Sequence, residues 1–294
     1  MNELVSIVMP VFNTEKYVEE AIKSCFDQTY SNIEIIVVDG NSTDGTLEIL
    51  NRYSDRITVL TEPKRGIGVA LNRGIRSMKG TWFKVMNADD ILYPECVEIL
   101  ISEIEKLKNK NVIIHSNCDI IDSNGKFVRE VLHTNFNTLS NFEQNVILLD
   151  HDTIINITTL LPKDIFSKYG YYNETIIAAE DYELWLRLCL LFNFRIHLLE
   201  RKLVKYRRHE ASATMQALKK TPDYADHARN LVLQKLDPLT RKKLNSSLKL
   251  YQKQNKKSIS IKEKIDHLVL NKFSPSTAKK FSKYYRILTN KPKK

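Results

Sequence analysis

Short apolar runs alternate with amphipathic stretches over the first 120 residues. Apolar residues recur at helical spacing between the runs, as in Val18, Ala21, Ile22 and Cys25. Three more helices are predicted: one that carries Leu47, Leu50 and Tyr53, and two over residues 67–78 and 94–108. This alternation predicts an α/β fold with a mostly parallel, Rossmann-like sheet and helices on both faces. The runs predicted as strands are LVSIVMPV (4–11), IEIIVVD (33–39), ITVLT (57–61), TWFKVM (81–86) and NVIIHS (111–116).

The pattern is less regular from residue 117 to 175. KFVREVL, which follows a Ser-Asn-Gly turn, favours an edge strand. Residues 175–192 predict a long helix with leucines on one face, and FRIHLL and KLVKYR predict two late strands.

Charge divides the chain into two parts. Residues 1–214 hold 24 Lys and Arg against 30 Asp and Glu, a net −6, whereas residues 215–294 hold 21 against 5, a net +16. The two values add to the +10 of the whole chain. We therefore predict a catalytic domain over residues 1–214 and a basic, helical C-terminal region over residues 215–294.

Other bulk features favour a cytoplasmic protein. No stretch has the length of a membrane span, and the N-terminus runs into a strand without the basic region of a signal peptide. The four cysteines lack the short spacing of metal or disulfide frameworks, so we expect four reduced, mostly buried thiols.

Polar residues follow several of the predicted strands. Asp39 ends the second strand and is followed by the turn-forming residues 40–45. In open α/β sheets ligands bind at the carboxyl ends of the strands, and an acid there can accept hydrogen bonds from a ribose or a base. The sequence has no G-x-G-x-x-G after the first strand and no Walker A motif, so the phosphates of a nucleotide would need another neutralising group.

The segment VMNADDILYP (85–94) offers such a group. Asp89 and Asp90 follow the fourth strand, and Mg²⁺ is typically held by one or two carboxylates together with substrate phosphates. An aspartate here could equally cap the following helix. The segment alone does not separate a metal site from a cap.

Five segments in order resemble glycosyltransferase family 2: SIVMPVFN, VVDGNSTDGT, EPKRGIGVALNRGI, GTWFKVMNADD and AAEDYELWLRL. The resemblance covers about residues 3–210. It implies a GT-A fold and an inverting, nucleotide-sugar-dependent transferase. Asn87 stands where many members of the family have aspartate, and Gly40 where many have a second aspartate.

The resemblance also implies roles for individual residues. Asp181 would be the catalytic base, and Asp89 and Asp90 the metal-binding end of the aspartate-x-aspartate signature. YRRHEASAT (206–214) resembles the closing segment of the family, which lies near the diphosphate. The nucleotide-sugar-binding set would be Pro10, Phe12, Asn13, Glu15, Asp39, Arg65, Asn72, Asn87, Ala88, Asp89, Arg207 and His209.

The expected reaction is displacement at the anomeric carbon of a UDP-sugar by an acceptor hydroxyl. A sugar hydroxyl is a weak nucleophile at neutral pH, so its attack requires a general base. The carboxylate of Asp181 is the candidate for this base. Glu180 and Asp181 could instead only supply negative charge to the first turn of a helix. The resemblance implies manganese or magnesium as cofactor, hexosyl or N-acetylhexosaminyl transfer, and a glycan or lipid-linked acceptor in bacterial surface polysaccharide, such as lipopolysaccharide or capsule.

Two other functions fit parts of the sequence. A sugar nucleotidyltransferase would want a glycine-rich phosphate loop near the first strand, where PVFNTEKY stands instead. A non-catalytic basic binding protein is suggested by the C-terminal charge, but the aromatic residues form no recognisable nucleic-acid-binding framework, so we expect no nucleic acid partner. A homo-oligomer is compatible with the sequence.

The basic C-terminal region carries apolar residues at helical spacing. Basic amphipathic helices lie in the membrane interface, which predicts a peripheral protein on the anionic inner face of the cell membrane. The helices could instead pack on the catalytic domain or on a second subunit. The three stretches are Leu244, Leu248 and Tyr251; Ile261, Ile265, Leu268 and Val269; and Phe281, Tyr284, Tyr285 and Leu288.

Overall fold

Four parallel strands open the sheet in the order β3-β2-β1-β4 in a computed structural model of the protein. Val11 of β1 pairs with Asp39 of β2, and Asp39 pairs with Thr61 of β3. Because these strands are parallel, their carboxyl ends lie along one edge, which we call the carboxyl edge. The strands are β1 (Val5–Val11), β2 (Ile33–Asp39), β3 (Thr58–Thr61) and β4 (Trp82–Val85).

The connecting helices bury most of the apolar residues that their spacing predicts, although Leu47 is 37% exposed. In α3 the helix approaches β1 so closely that a Cβ atom at Gly74 would lie 2.3 Å from Cγ1 of Val8, which explains a glycine in mid-helix. The helices are α1 (Val18–Phe26), α2 (Thr46–Asn51), α3 (Ile67–Ser77) and α4 (Cys96–Lys106).

The rest of the sheet is mixed. β8 inserts antiparallel between β4 and β6, so β6 does not extend the parallel sheet directly. The two late strands predicted from the sequence are one strand, β9, which pairs parallel with β6 through register shifts. The strands are β5 (Ile91–Leu92), β6 (Val112–Ile121), β7 (Phe127–Val131), β8 (Thr159–Pro162) and β9 (Arg195–Arg207).

Later helices cover the sheet and carry the acidic residues of interest. α7 begins at Glu180, five residues after the start predicted from the sequence, and Ala179 before it has a left-handed φ of 66°. The chain of α8 packs against α7. The helices are α5 (Asn141–Asp150), α6 (Asp164–Tyr169), α7 (Glu180–Phe192), α8 (Tyr224–Leu233) and α9 (Pro238–Lys272).

The structure describes residues 3–63, 66–109, 111–210, 212 and 224–272, with the backbone alone for 256–272. The chain divides into two compact units, residues 1–244 and 245–294. The first unit thus includes α8, beyond the boundary that the charge predicts at residue 214. No helix in the described ranges is both long and apolar enough to cross a membrane.

The core of the first unit is apolar and includes the four cysteines. Each of them is buried and unpaired, as expected. Burial raises the pKa of the Cys25 and Cys118 thiols to about 12 and that of Cys96 to about 11, so these thiols stay protonated at neutral pH. The predicted α/β architecture is confirmed, with more antiparallel pairing than the sequence indicates.

Candidate active site

Two loops interlock where β1 and β2 end. The backbone N–H of Asn13 donates to Oγ of Ser42 at 2.9 Å, and the N–H of Thr43 donates to Oδ1 of Asn13 at 2.8 Å. Glu15 accepts a hydrogen bond from the N–H of Gly45 at 3.0 Å. Asn13 has a left-handed φ of 53°, which asparagine tolerates better than most residues. The residues Asn13 and Glu15 therefore shape the loops at the carboxyl edge.

Asp39 explains the turn that follows β2. Its carboxylate accepts hydrogen bonds from the N–H groups of Asn41 at 2.9 Å and Ser42 at 3.1 Å. The residue is 1% exposed, so its carboxylate mainly stabilises the turn. Phe12 beside it is 45% exposed and offers an aromatic face at the same edge, whereas Pro10 is half-buried in β1.

Asp89 and Asp90, which follow β4, have different surroundings. Asp90 is 1% exposed and accepts hydrogen bonds on both oxygens, from the N–H of Arg207 at 2.6 Å and from Nδ2 of Asn87 at 2.8 Å. Burial and the Asp89 charge raise the pKa of Asp90 well above its usual range. Asp89 keeps 21% of its side chain exposed, and its Oδ2 lies 2.9 Å from Nε2 of His209. Ala88, which lies between Asn87 and Asp89, is buried.

The end of β9 is clamped onto this turn. The guanidinium of Arg207 donates to the backbone oxygen of Asp89 at 2.7 Å and to Glu20 at 2.5 Å. The ring of Tyr17 lies 4.8 Å from both the Arg207 guanidinium and the His209 ring. Arg207 is 2% exposed, so its side chain mainly fixes the position of the Asp89 backbone.

The candidate base approaches the same edge from another side. A Cβ atom on Gly68, in the first turn of α3, would lie 3.6 Å from Cβ of Glu180. Since α3 begins shortly after β3 ends, this contact places the start of α7 at the carboxyl edge. Asp181 therefore lies on the same side of the sheet as Phe12 and Asp89.

The acids at the start of α7 titrate unusually. Burial raises the pKa of Asp181 to about 6, against the opposing effect of a hydrogen bond from the Tyr182 N–H at 2.8 Å. Burial, and then the Asp181 charge, raise the pKa of Glu180 to about 8. A carboxylate with a pKa near neutral, next to an acid with a higher pKa, suits a general base that works close to pH 7.

The structure adds residues to this site that the sequence pattern missed. Desolvation of its carboxyl group, and then the charges of Asp181 and Glu180, raise the pKa of Asp152 well above its usual range. The residue as a whole is nevertheless exposed. The pKa values of Tyr172 and Tyr224 are raised by burial and then by acids of the same group. Asp152 follows α5, a helix absent from the sequence prediction, so no local signal linked it to Asp181.

Two of the predicted residues need separate mention. Arg65 lies outside the described residues. Asn72 is 1% exposed and hydrogen-bonds to the segment before α7. For all of the predicted residues, contact with a donor remains a prediction.

Comparison with known proteins identifies the family. Residues 6–170 match the model of glycosyl transferase family 2. The chain belongs to glycosyl transferase family 2. An uncharacterized glycosyltransferase of Rickettsia prowazekii is 36% identical over 223 residues, which are 76% of this chain and 70% of the relative. Glycosyltransferase GlyG of Streptococcus pneumoniae is 37% identical over 131 residues, 43% of each chain.

Solved structures share the fold of this family 2 chain. S. aureus TarS (residues 1–349), in complex with UDP-GlcNAc, gives a TM-score of 0.68 at 19% identity, over 91% of this chain and 78% of that one. Mannosyltransferase PcManGT from Pyrobaculum calidifontis, in complex with GDP-Man and Mn²⁺, gives 0.60 at 13% identity, over 98% and 81%. At these identities the similarity shows the GT-A-like fold alone.

The family 2 chain has a residue that fits a divalent cation. Asp89 presents a partly exposed carboxylate, the ligand type that Mg²⁺ and Mn²⁺ prefer. Within the described residues, no group of three or more His, Cys, Asp or Glu side chains is arranged to hold a metal ion. A cation at Asp89 would therefore depend on the phosphates of the donor, which is how Mg²⁺ commonly binds.

Proposed function

We propose that this family 2 glycosyltransferase moves a hexosyl or N-acetylhexosaminyl group, with inversion, from a UDP-sugar to a hydroxyl of a glycan or a lipid-linked acceptor. The observation that carries the proposal is the pair of acids at the start of α7, Glu180 and Asp181, which lies on the same edge of the sheet as Phe12 and Asp89. The pKa of Asp181 is raised to about 6 there and that of Glu180 to about 8. With such an acceptor, the enzyme would take part in the assembly of a surface polysaccharide such as lipopolysaccharide or capsule.

Each residue has a defined part in the proposed reaction. Asp181 accepts the proton of the acceptor hydroxyl, whose oxygen then attacks the anomeric carbon. The bond from that carbon to the diphosphate oxygen breaks, and the electron pair leaves with UDP. Asp89 would hold a divalent cation, which supplies Lewis-acid stabilisation of the charge on the diphosphate. His209 lies beside Asp89, and Asp90 keeps a structural part.

The reaction is expected to depend on pH through Asp181. Because burial raises the pKa of Asp181 to about 6, the carboxylate is ionised above this pH and protonated below it. Turnover at saturating donor should therefore fall as the pH decreases through about 6, whereas an ordinary aspartate would titrate near 4. In addition to desolvation, the charge of Asp181 contributes to the raised pKa values of its neighbours Glu180, Asp152, Tyr172 and Tyr224.

The measurement is kcat against pH, with donor affinity determined at the same pH values. A loss of donor affinity that accounts for the whole decline would point away from Asp181. A kcat that stays constant down to about pH 4.5 would contradict the base assignment.

We also propose that the basic region beyond the first unit holds the enzyme at the anionic inner face of the cell membrane. Leu244 is 2% exposed and belongs to the first unit, whereas Leu250, further along α9, is 60% exposed. Lysines surround Leu250 in sequence, at positions 249 and 253. Such a surface suits an anionic leaflet, to which each nearby Lys or Arg contributes about 1 kcal/mol. The third predicted apolar stretch, residues 281–288, lies outside the described residues.

The membrane proposal predicts binding to anionic vesicles. The full chain should co-sediment with phosphatidylglycerol vesicles at low salt and be released as salt rises, because salt screens exposed charges. Neutral phosphatidylcholine vesicles serve as the control, and a chain that ends at Leu244 should lose the binding. Failure of the full chain to bind anionic vesicles at low salt would reject the proposal and favour packing of the basic region against protein.

A further inference from the structure

The carboxamide of Asn72 is fully engaged by one neighbouring segment. Its Nδ2 donates to the backbone oxygen of Tyr172 at 2.9 Å and to Oε1 of Glu174 at 3.0 Å. Its Oδ1 accepts from the N–H of Tyr172 at 3.0 Å. Since the residue is 1% exposed, both of its donor hydrogens and its acceptor oxygen serve the segment that leads from α6 to α7.

A second contact from α3 reaches the end of the same segment. A Cβ atom on Gly68 would lie 3.4 Å from Cβ of Tyr172 and 3.6 Å from Cβ of Glu180. Gly68 and Asn72 are four residues apart and therefore lie on one face of the helix. That face of α3 contacts the segment both at its beginning and at the first residue of α7.

The other side of the segment is held by α7 itself. The guanidinium of Arg187 donates to the backbone oxygens of Gly170 at 2.9 Å and Tyr171 at 2.7 Å, and Nε binds Glu183 at 2.9 Å. Residues 170–174 are thus fixed between α7 and Asn72. Ala179, at the end of the segment, has a left-handed φ of 66°, which residues other than glycine, asparagine and aspartate rarely adopt. Such a conformation persists when the surrounding structure imposes it.

We propose that Asn72 is a positioning residue, which holds residues 172–174 so that Asp181 meets the acceptor hydroxyl, and that it does not bind the donor. The proposal rests on the proposed function, in which Asp181 is the base. Its physical reason is that bond formation requires the reacting atoms to be about 3–3.5 Å apart, and a displacement of about 1 Å at the base costs up to about 10²-fold in rate. Donor contacts at the other strand ends would be unchanged.

The test compares Asn72→Ala with the matched control Arg73→Ala, which removes an exposed side chain from the same helix. Transfer from UDP-GlcNAc and related donors gives kcat and KM, and calorimetry gives donor affinity separately. We expect Asn72→Ala to lower kcat by about 10–10²-fold with donor affinity within about twofold, and Arg73→Ala to resemble the wild type.

A second variant covers the case in which Asn72→Ala does not fold. Glu174→Ala removes one of the three hydrogen bonds of the Asn72 side chain, and the Glu174 side chain is 30% exposed, so the fold should survive. We expect a smaller fall in kcat, again without loss of donor affinity. Wild-type kcat in both variants, or a loss of donor affinity that accounts for the effect, would overturn the positioning role. If the wild-type chain transfers no sugar, the proposed function fails first, and the role of Asn72 fails with it.

Discussion

Replacing Asp181 by asparagine should lower kcat by about 10²–10⁴-fold and leave donor affinity nearly unchanged. The amide has the shape of the carboxylate but cannot accept the proton of the acceptor hydroxyl. Its oxygen can still accept the hydrogen bond from the Tyr182 N–H, so the first turn of α7 should keep its structure. The expected loss lies in turnover because the proposed base acts on the acceptor.

Asp164→Asn provides a matched control for this substitution. Asp164 lies in the first turn of α6, as Asp181 lies in that of α7, but its side chain is 56% exposed and pairs with Lys168. The control should keep the wild-type kcat. The measurements are the initial rate of transfer and donor affinity by calorimetry. Near-normal turnover of Asp181→Asn would contradict the assignment of the base.

Replacing Asp89 by asparagine should remove the manganese-dependent part of donor binding. Asp89 is the partly exposed carboxylate at the end of β4, and outer-shell substitutions alone typically cost about 10–100-fold in metal affinity. Loss of a direct ligand should cost at least as much. Calorimetric titration of a UDP-sugar with Mn²⁺ and with a chelator measures the effect. Equal affinity under both conditions in the unmutated protein would reject the metal role.

Asp90→Ala separates the two neighbouring acids. Without the Asp90 carboxylate, the buried N–H of Arg207 and the partly buried Nδ2 of Asn87 lose their acceptors. This variant should lower the free energy of unfolding by about 1–3 kcal/mol per unsatisfied group, while its folded fraction keeps the manganese dependence. If Asp90→Ala binds the donor without manganese dependence and Asp89→Asn does not differ from the wild type, the two roles are reversed.

The first half of the fold follows from local pattern. The runs at residues 4–11 and 33–39 are apolar on both faces, and only a strand covered on both sides buries such a run. The polar and turn-forming residues that follow these runs then place Asp39 and Asp89 at strand ends. These elements lie close together in sequence, so periodicity and turn chemistry suffice to order them.

The second half depends on pairing between distant segments. β8 is four residues long and joins β4 and β6, which lie about 75 and 45 residues earlier, so its position is set by partners that the local sequence does not reveal. The same limit explains Asp152, which reaches Asp181 only through the packing of α5 and α7. It also explains Asn72, which the family motif around it assigns to donor binding, although its side chain hydrogen-bonds to Tyr172 and Glu174.

The measurement that tests the account most directly is calorimetric titration of the full chain with UDP-GlcNAc, UDP-glucose and GDP-mannose, with and without Mn²⁺. We expect one UDP-sugar to bind saturably in the range of about 1 μM–1 mM when Mn²⁺ is present, and binding to weaken strongly on chelation or in Asp89→Asn. If no nucleotide sugar binds up to about 5 mM with Mn²⁺ present, the proposed donor site at the carboxyl edge is contradicted.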